Sequence, residues 1–267
     1  MNIVVYPPAK INLGLNVIEK RSDGFHNIET LFVPTTLKDI IEIVESDSFS
    51  IVRYGTSYPL ADNDDRNDIC YKAYKLLQSE YNLPPVTIYL YKNIPSGGGL
   101  GGGSSDAASV LKALNKLFNL NISTEELEHY ALQLGSDCPF FIHKTPMLAK
   151  GRGELLSTFT NPNIEELVKD DGKYYIRLFT NDFHISTAQA YSRVIPHKKD
   201  LLLTEALSKD ITEWKNYVIN DFEASVFSQL PQLKEIKEDI YAQGAIYASM
   251  SGSGSTMYGI FCTSPEI

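Results

Sequence analysis

The chain has 267 residues, 43% of them hydrophobic, which suffices for one large core or two modest ones. Its 24 basic and 33 acidic residues leave a net charge of −9, and no basic stretch exceeds a pair such as Lys198-Lys199. Nucleic acid and anionic membranes are therefore poor partners for its surface. Cys70, Cys138 and Cys262 are odd in number and widely spaced, which argues against a disulfide framework or a zinc site and predicts reduced core thiols.

The first residues read as a short strand broken by Pro7 and Pro8, with neither a basic n-region nor a long apolar stretch, so a cytoplasmic location is expected. Ile11, Leu13, Leu15 and Val17 then alternate with Asn12, Gly14 and Asn16, the pattern of a half-buried strand. Further strands are predicted at 28–34, 40–45, 49–54 and 86–91, with a helix over 67–81.

The next feature dominates the sequence. Six of the seven positions 97–103 are glycine, within Pro95-Ser96-Gly97-Gly98-Gly99-Leu100-Gly101-Gly102-Gly103-Ser104-Ser105-Asp106. Glycine lets the backbone reach positive φ and approach a ligand closely, so consecutive N–H groups can turn inward around an anion. Ser104, Ser105 and Asp106 are good helix N-caps, and Ala107, Val110, Leu111, Leu114, Leu117 and Phe118 recur at helical spacing. A helix N-terminus behind the loop adds partial positive charge, so the segment reads as a phosphate cradle. It is not the usual P-loop, because the first lysine, Lys112, stands two turns into the helix. A dinucleotide fingerprint lacks its acidic residue about 20 positions on. A flexible linker would not run from a strand at 86–90 into a capped helix.

A third helix is announced by the capping box Ser123/Glu126, with Leu127, Tyr130, Ala131 and Leu134 as its apolar face and Gly135 as terminator. Gly151-Arg152-Gly153 and Asn161-Pro162-Asn163 break the chain, placing a boundary near 150–157, between domains at 1–155 and 156–267. Beyond it, strands are predicted at 174–180, 246–250 and 256–262, and helices at 187–194, 213–229 and 231–243. Strands grouped with helices without regular alternation indicate α+β. The run Ser251-Gly252-Ser253-Gly254-Ser255 is either a tight hairpin or a second loop packing against a nucleotide site.

Phosphoryl transfer needs alignment, charge neutralisation and acceptance of one proton, which a lysine and a carboxylate can supply. Lys10 at a strand start and Asp137 after the Gly135 stop are candidates, although locally each could be a solvated flank or a cap. Cys138 is a weak candidate nucleophile, since no histidine is marked out as its partner.

Pro8-Ala9-Lys10-Ile11-Asn12-Leu13-Gly14-Leu15, Arg21-Ser22-Asp23-Gly24-Phe25-His26, the glycine run with its flanking Pro95 and Ser105, and Gly135-Ser136-Asp137-Cys138-Pro139-Phe140 resemble the motifs of the GHMP small-molecule kinase superfamily. The likeness spans residues 7 to about 262 in the expected order. It is closest to the branch acting on a cytidylated polyol, diphosphocytidyl-methylerythritol, in non-mevalonate isoprenoid biosynthesis. The resemblance implies an N-terminal α+β domain of ribosomal protein S5 domain 2 type joined to a ferredoxin-like C-terminal domain. It implies ATP as phosphoryl donor to a tertiary hydroxyl, with Asp137 as general base and Lys10 orienting it. Residues 95–105 would hold the nucleotide, with Asn67 and Lys92 near the adenine. Phe25 and Tyr191 would stack on cytosine, His26 would read its edge, and Asn12 and Thr187 would lie near the polyol hydroxyls. Position 25 is commonly tyrosine in that branch, so phenylalanine keeps the ring and loses a hydroxyl. Mg²⁺ is expected with ATP, but no carboxylate cluster would cage it, leaving phosphate, water and Ser104 or Ser105 as ligands. Relatives usually continue beyond the last predicted strand, after which this chain ends at Ile267. A homoserine- or mevalonate-type kinase and a non-catalytic nucleotide-binding regulator are the rival readings, and oligomeric state is not legible.

Overall fold

The structure, a computed structural model, describes residues 1–55, 65–143 and 145–263; Ile267 lies outside them. Its strands, in chain order, are β1 (Asn2–Val5), β2 (Pro8–Lys20), β3 (His26–Lys38), β4 (Ile40–Glu45), β5 (Ser50–Tyr54), β6 (Val86–Tyr91), β7 (Met147–Gly151), β8 (Leu155–Thr158), β9 (Tyr174–Phe179), β10 (Tyr247–Met250) and β11 (Met257–Cys262). The helices that matter here are α1 (Ile69–Tyr81), α2 (Gly102–Leu117), α3 (Thr124–Leu134), α4 (Pro162–Val168) and α5 (Thr187–Tyr191). Two compact units interleave along the chain: residues 1–10, 35–96 and 101–144 form one, and 11–34, 97–100 and 145–267 the other.

In the first unit, β1, β4, β6 and β5 form a sheet in that order, antiparallel except for the parallel pair β5/β6. Ile41, Ile43, Ile88 and Leu90 from the sheet and Ala107, Val110, Leu111 and Leu114 from α2 are buried, as the apolar spacing of α2 requires. The helix expected over 67–81 begins at Ile69, because Asp68 caps it by accepting from the Cys70 N–H at 2.8 Å. Asn67 lies just before, in a 3-10 turn. The capping box of α3 is complete: Ser123 Oγ accepts from the Glu126 N–H at 3.2 Å, and Glu126 Oε2 accepts from the Ser123 N–H at 2.9 Å. Gly135 ends α3 in an extended conformation, φ 169°, so left-handed geometry is not its reason.

In the second unit, β10, β11 and β9 form an antiparallel sheet, and β3, β7 and β8 pair antiparallel beside β2. Leu15, Val17 and Ile28 pack in one core with Phe222, Val226, Leu233, Ile240, Met250 and Met257. Two expectations change. β2 is buried on both faces rather than one, since Asn12 and Asn16 are also buried. The single helix expected over 213–229 is broken into Trp214–Tyr217 and Phe222–Phe227. The residues between them extend to pair with β2, the Leu15 N–H donating to Ile219 O and the Asp221 N–H to Leu15 O, each at 2.8 Å. Asp221 Oδ2 also accepts from the Val17 N–H at 2.8 Å. Three ladder-like bonds to a buried strand outweigh continuation of the helix. Cys262, expected in the core, is exposed, whereas Cys70 and Cys138 are buried.

Candidate active site

The glycine run adopts the left-handed backbone its composition predicts, and its helix begins earlier than expected. Gly97, Gly99 and Gly101 sit at φ +75°, +77° and +69°, conformations that L side chains rarely adopt. Gly101 is the N-cap of α2, so the helix starts before Ser104, Ser105 and Asp106 and not after them. No side chain caps this end, which leaves first-turn N–H groups for an anion. A Cβ on Gly101 would stand 2.9 Å from Phe141 Cζ and 3.2 Å from Lys10 Cε, so the downstream end of the loop rests against the candidate catalytic lysine.

Lys10 Nζ lies 3.5 Å from Asp137 Oδ2, with side chains 5% and 34% exposed. Asp137 precedes the 3-10 turn Cys138–Ile142 without capping it, so its carboxylate is directed to Lys10. Burial lowers the Lys10 pKa, opposed by the Asp137 charge. An ammonium so placed can orient the carboxylate and meet developing negative charge. Cys138 is fully buried, and burial pushes its thiol up to about 11, which makes it a poor nucleophile. Lys112, the first lysine after the run, donates to the carbonyls of Phe141 and Ile142 at 3.3 and 2.9 Å.

On the proposed adenine side, Asn67 is exposed and Lys92 is buried. The Lys92 ammonium donates to Asp39 Oδ2 and, at 2.6 Å, to Asp106 Oδ2. Burial pushes the Asp106 carboxyl up to about 8, the nearby Asp39 charge adds to this, and Lys92 opposes it. Lys92 itself is raised, its carboxylate partners outweighing desolvation.

In the second unit, residues 251–255 form the tight hairpin the sequence allowed. They join β10 to β11 as a hairpin, the Ser251 N–H donating to Thr256 O at 2.9 Å. They also pack on the run: Ser251 Oγ donates to Gly99 O at 2.9 Å, the Thr256 N–H donates to Gly98 O at 3.3 Å, and a Cβ on Gly99 would fall 2.0 Å from Ser251 O. Asn12 joins this group, its N–H donating to Ser251 Oγ at 3.3 Å and its Nδ2 to Thr30 Oγ1 at 3.0 Å. Thr187 opens α5 and accepts from Ser253 Oγ at 3.2 Å.

Tyr191 stacks on His26, centroids 4.6 Å apart, and meets Phe222 edge-on. Phe25 is 54% exposed, with the Arg152 guanidinium 5.1 Å above its ring. Burial, then the Lys20 charge, lowers the His26 pKa, which favours the neutral ring with one donor and one acceptor nitrogen. Sequence reasoning did not single out Arg152, Asp39 or Asp106 as functional positions; for Asp106 the available signal was an aspartate early in the helix that follows the glycine run. Among the described residues no group of three His, Cys, Asp or Glu could hold a metal ion, and no helix is long and apolar enough to cross a membrane.

The N-terminal domain model of the GHMP kinases matches residues 68–145 and their C-terminal model residues 202–266. The chain is 50% identical over 260 residues to a 4-diphosphocytidyl-2-C-methyl-D-erythritol kinase of Azobacteroides pseudotrichonymphae genomovar. CFP2, covering 97% of this chain and 93% of that protein. It is 47% identical over 266 residues to one of Bacteroides fragilis, covering 99% and 93%. A crystal structure of 4-(cytidine 5'-diphospho)-2C-methyl-D-erythritol kinase superposes with TM-score 0.79 at 32% identity, covering 96% of this chain and 89% of that one. A homoserine kinase from Cytophaga hutchinsonii shares the fold, with TM-score 0.73 at 16% identity, covering 98% and 86%. Together with the mixed sheets and helices, these matches describe the two-domain α+β GHMP architecture. The chain is an ATP-dependent small-molecule kinase belonging to the GHMP kinases and, among them, to the family of the 4-diphosphocytidyl-2-C-methyl-D-erythritol kinases.

Proposed function

We infer that this kinase transfers the γ-phosphoryl group of ATP to the 2-hydroxyl of 4-diphosphocytidyl-2-C-methyl-D-erythritol, as a cytoplasmic enzyme of non-mevalonate isoprenoid biosynthesis. The observation carrying the chemistry is the buried Lys10 facing Asp137 at 3.5 Å beside Gly101. The acceptor oxygen attacks γ-phosphorus, its proton passes to Asp137, the bond from γ-phosphorus to the β–γ bridging oxygen breaks, and ADP leaves. Lys10 holds the carboxylate and offsets charge on the acceptor oxygen, a positioned base being worth ~10²–10⁴ in rate. In a loose transition state the proton moves late, so a carboxylate can serve as base.

Residues 95–105 take the triphosphate on backbone amides, with Asn67 and Lys92 on the adenine side. Of the two serines, Ser105 is fully buried and Ser104 half-buried, so Ser104 fits better as a protein ligand for Mg²⁺. That ion would neutralise phosphate charge when bound with ATP. For the acceptor, Phe25, His26 and Tyr191 take the cytosine, and Asn12 and Thr187 the polyol. We place the boundary between the family's two domains near residue 155, which falls between the stretches matched by the two domain models. Incubation with ATP, Mg²⁺ and the cytidylated methylerythritol should release ADP. ADP only with homoserine or mevalonate would transfer the assignment to those kinases, and none with any alcohol would leave a nucleotide-binding regulator.

A further inference from the structure

The glycine run is bracketed by one charged cluster. Upstream, Asp39 Oδ1 accepts from the N–H groups of Asn93 at 2.5 Å and Ile94 at 2.8 Å, the residues that lead into the run. Downstream, Asp106 sits in the first turns of α2, where the run ends. The Lys92 ammonium bonds Oδ2 of both aspartates. Lys92, Asp39 and Asp106 are 6%, 0% and 1% exposed, and a Cβ on Gly102 would stand 3.3 Å from Lys92 Nζ. One cation thus links the two ends of an eleven-residue loop, 95–105.

Stability alone does not account for the cluster. A buried ion pair is commonly no better than apolar residues of the same volume, and a second buried carboxyl group adds desolvation without a second cation. Asp106 Oδ1 has no hydrogen-bond partner in the described structure, a further expense for a residue serving packing only. Retaining both carboxylates is accounted for by geometry: one grips the chain entering the loop, the other the helix leaving it.

We propose that Asp39, Lys92 and Asp106 form a clasp that sets the span of the glycine loop, making Asp39 and Asp106 positioning residues for the nucleotide. This rests on the reading of residues 95–105 as the nucleotide loop. It adds to any contact Lys92 makes with the base, because the clasp acts through the backbone. Displacing a phosphate-binding backbone by about 1 Å can cost ~10²-fold, so affinity for the nucleotide, and not for the cytidylated acceptor, should register its loss.

Titration calorimetry of ADP and, separately, of the cytidylated acceptor on the intact chain tests this. Asp106→Leu severs the downstream tie and should weaken ADP by at least about tenfold while the acceptor stays within about twofold. Asp106→Asn, whose amide oxygen still accepts from the ammonium, should restore ADP binding to within about threefold. Equal ADP affinity in Asp106→Leu and wild type, or parallel losses for both ligands, would overturn the proposal. Should Asp106→Leu fail to fold, Asp39→Asn, which turns an amide toward the ammonium, carries the same expectation. If the wild type itself binds no ADP, the kinase reading fails. The clasp is then judged by hydrogen exchange, the amides of 95–105 exchanging faster in the variant while those of β4 and β6 are unchanged; no difference there overturns it.

Discussion

Two buried lysines in one compact unit have opposite settings. Lys10 faces a carboxylate at 3.5 Å that is a third exposed, and burial lowers its pKa. Lys92 is gripped by two carboxylates that are themselves buried, and its pKa is raised. Their surroundings suit different tasks. A loosely held pair open on one side can reorganise around a substrate; a closed, short-bonded cluster fixes backbone. The exposure of the carboxylate partner separates the two cases more clearly than the burial of the lysine.

The sharpest way to break this contrast is to remove each ammonium. Lys92→Met leaves the buried Asp39 and Asp106 side chains without their shared cation and should cost about 3–5 kcal/mol of stability, read by denaturant unfolding. Lys10→Met should change unfolding far less while abolishing most turnover, and equal stability losses would show that both lysines are structural. Next in size, Asp137→Asn should lower kcat at least about a hundredfold, roughly 2.7 kcal/mol, with the KM for ATP little changed. A near-normal rate would mean that the acceptor hydroxyl loses its proton without this carboxylate.

Smaller effects belong to the acceptor. Tyr191→Ala removes a ring already stacked on His26 and should weaken the cytidylated acceptor by about 1–3 kcal/mol, the scale of stacking on a base. Phe25→Ala should do less, because that ring is exposed and covered by Arg152. An unchanged KM for the cytidylated acceptor in both variants would remove the cytosine from this part of the second unit.

A last prediction concerns pH. Asp106 titrates near 8 in the folded chain, against about 3.9 for an unperturbed aspartate. Between those values the folded state binds more protons than the unfolded one, so this group's contribution to stability falls as pH rises through the window and is at its minimum above about 8. Asp106→Asn lacks that titration, so its stability relative to wild type should improve steadily from about pH 5 to about pH 8. A gap independent of pH would show that Asp106 is ionised throughout, with Lys92 offsetting its charge.

Much of the site is legible because it is local. Six glycines in seven positions demand an unusual backbone, Ser123 and Glu126 spell a capping box completed within four residues, and the alternation at 11–17 marks a strand. Motif order along the chain is likewise a property of sequence, and it singles out Lys10 and Asp137, which lie 3.5 Å apart.

What the tertiary structure alone decided are pairings between residues far apart in the chain. Local composition cannot say that residues 218–221 abandon a helix to bond β2, that Asn12 and Asn16 are buried on a second covered face, or that His26 lies against Tyr191. Nor does anything near Asp39 announce that Lys92, 53 positions on, and Asp106, 14 further, will share its charge. The physical reason is the same in each case. Periodicity and caps are set by bonds between near neighbours, whereas the burial that makes a charge or a strand edge demand a partner exists only once the chain has closed around it.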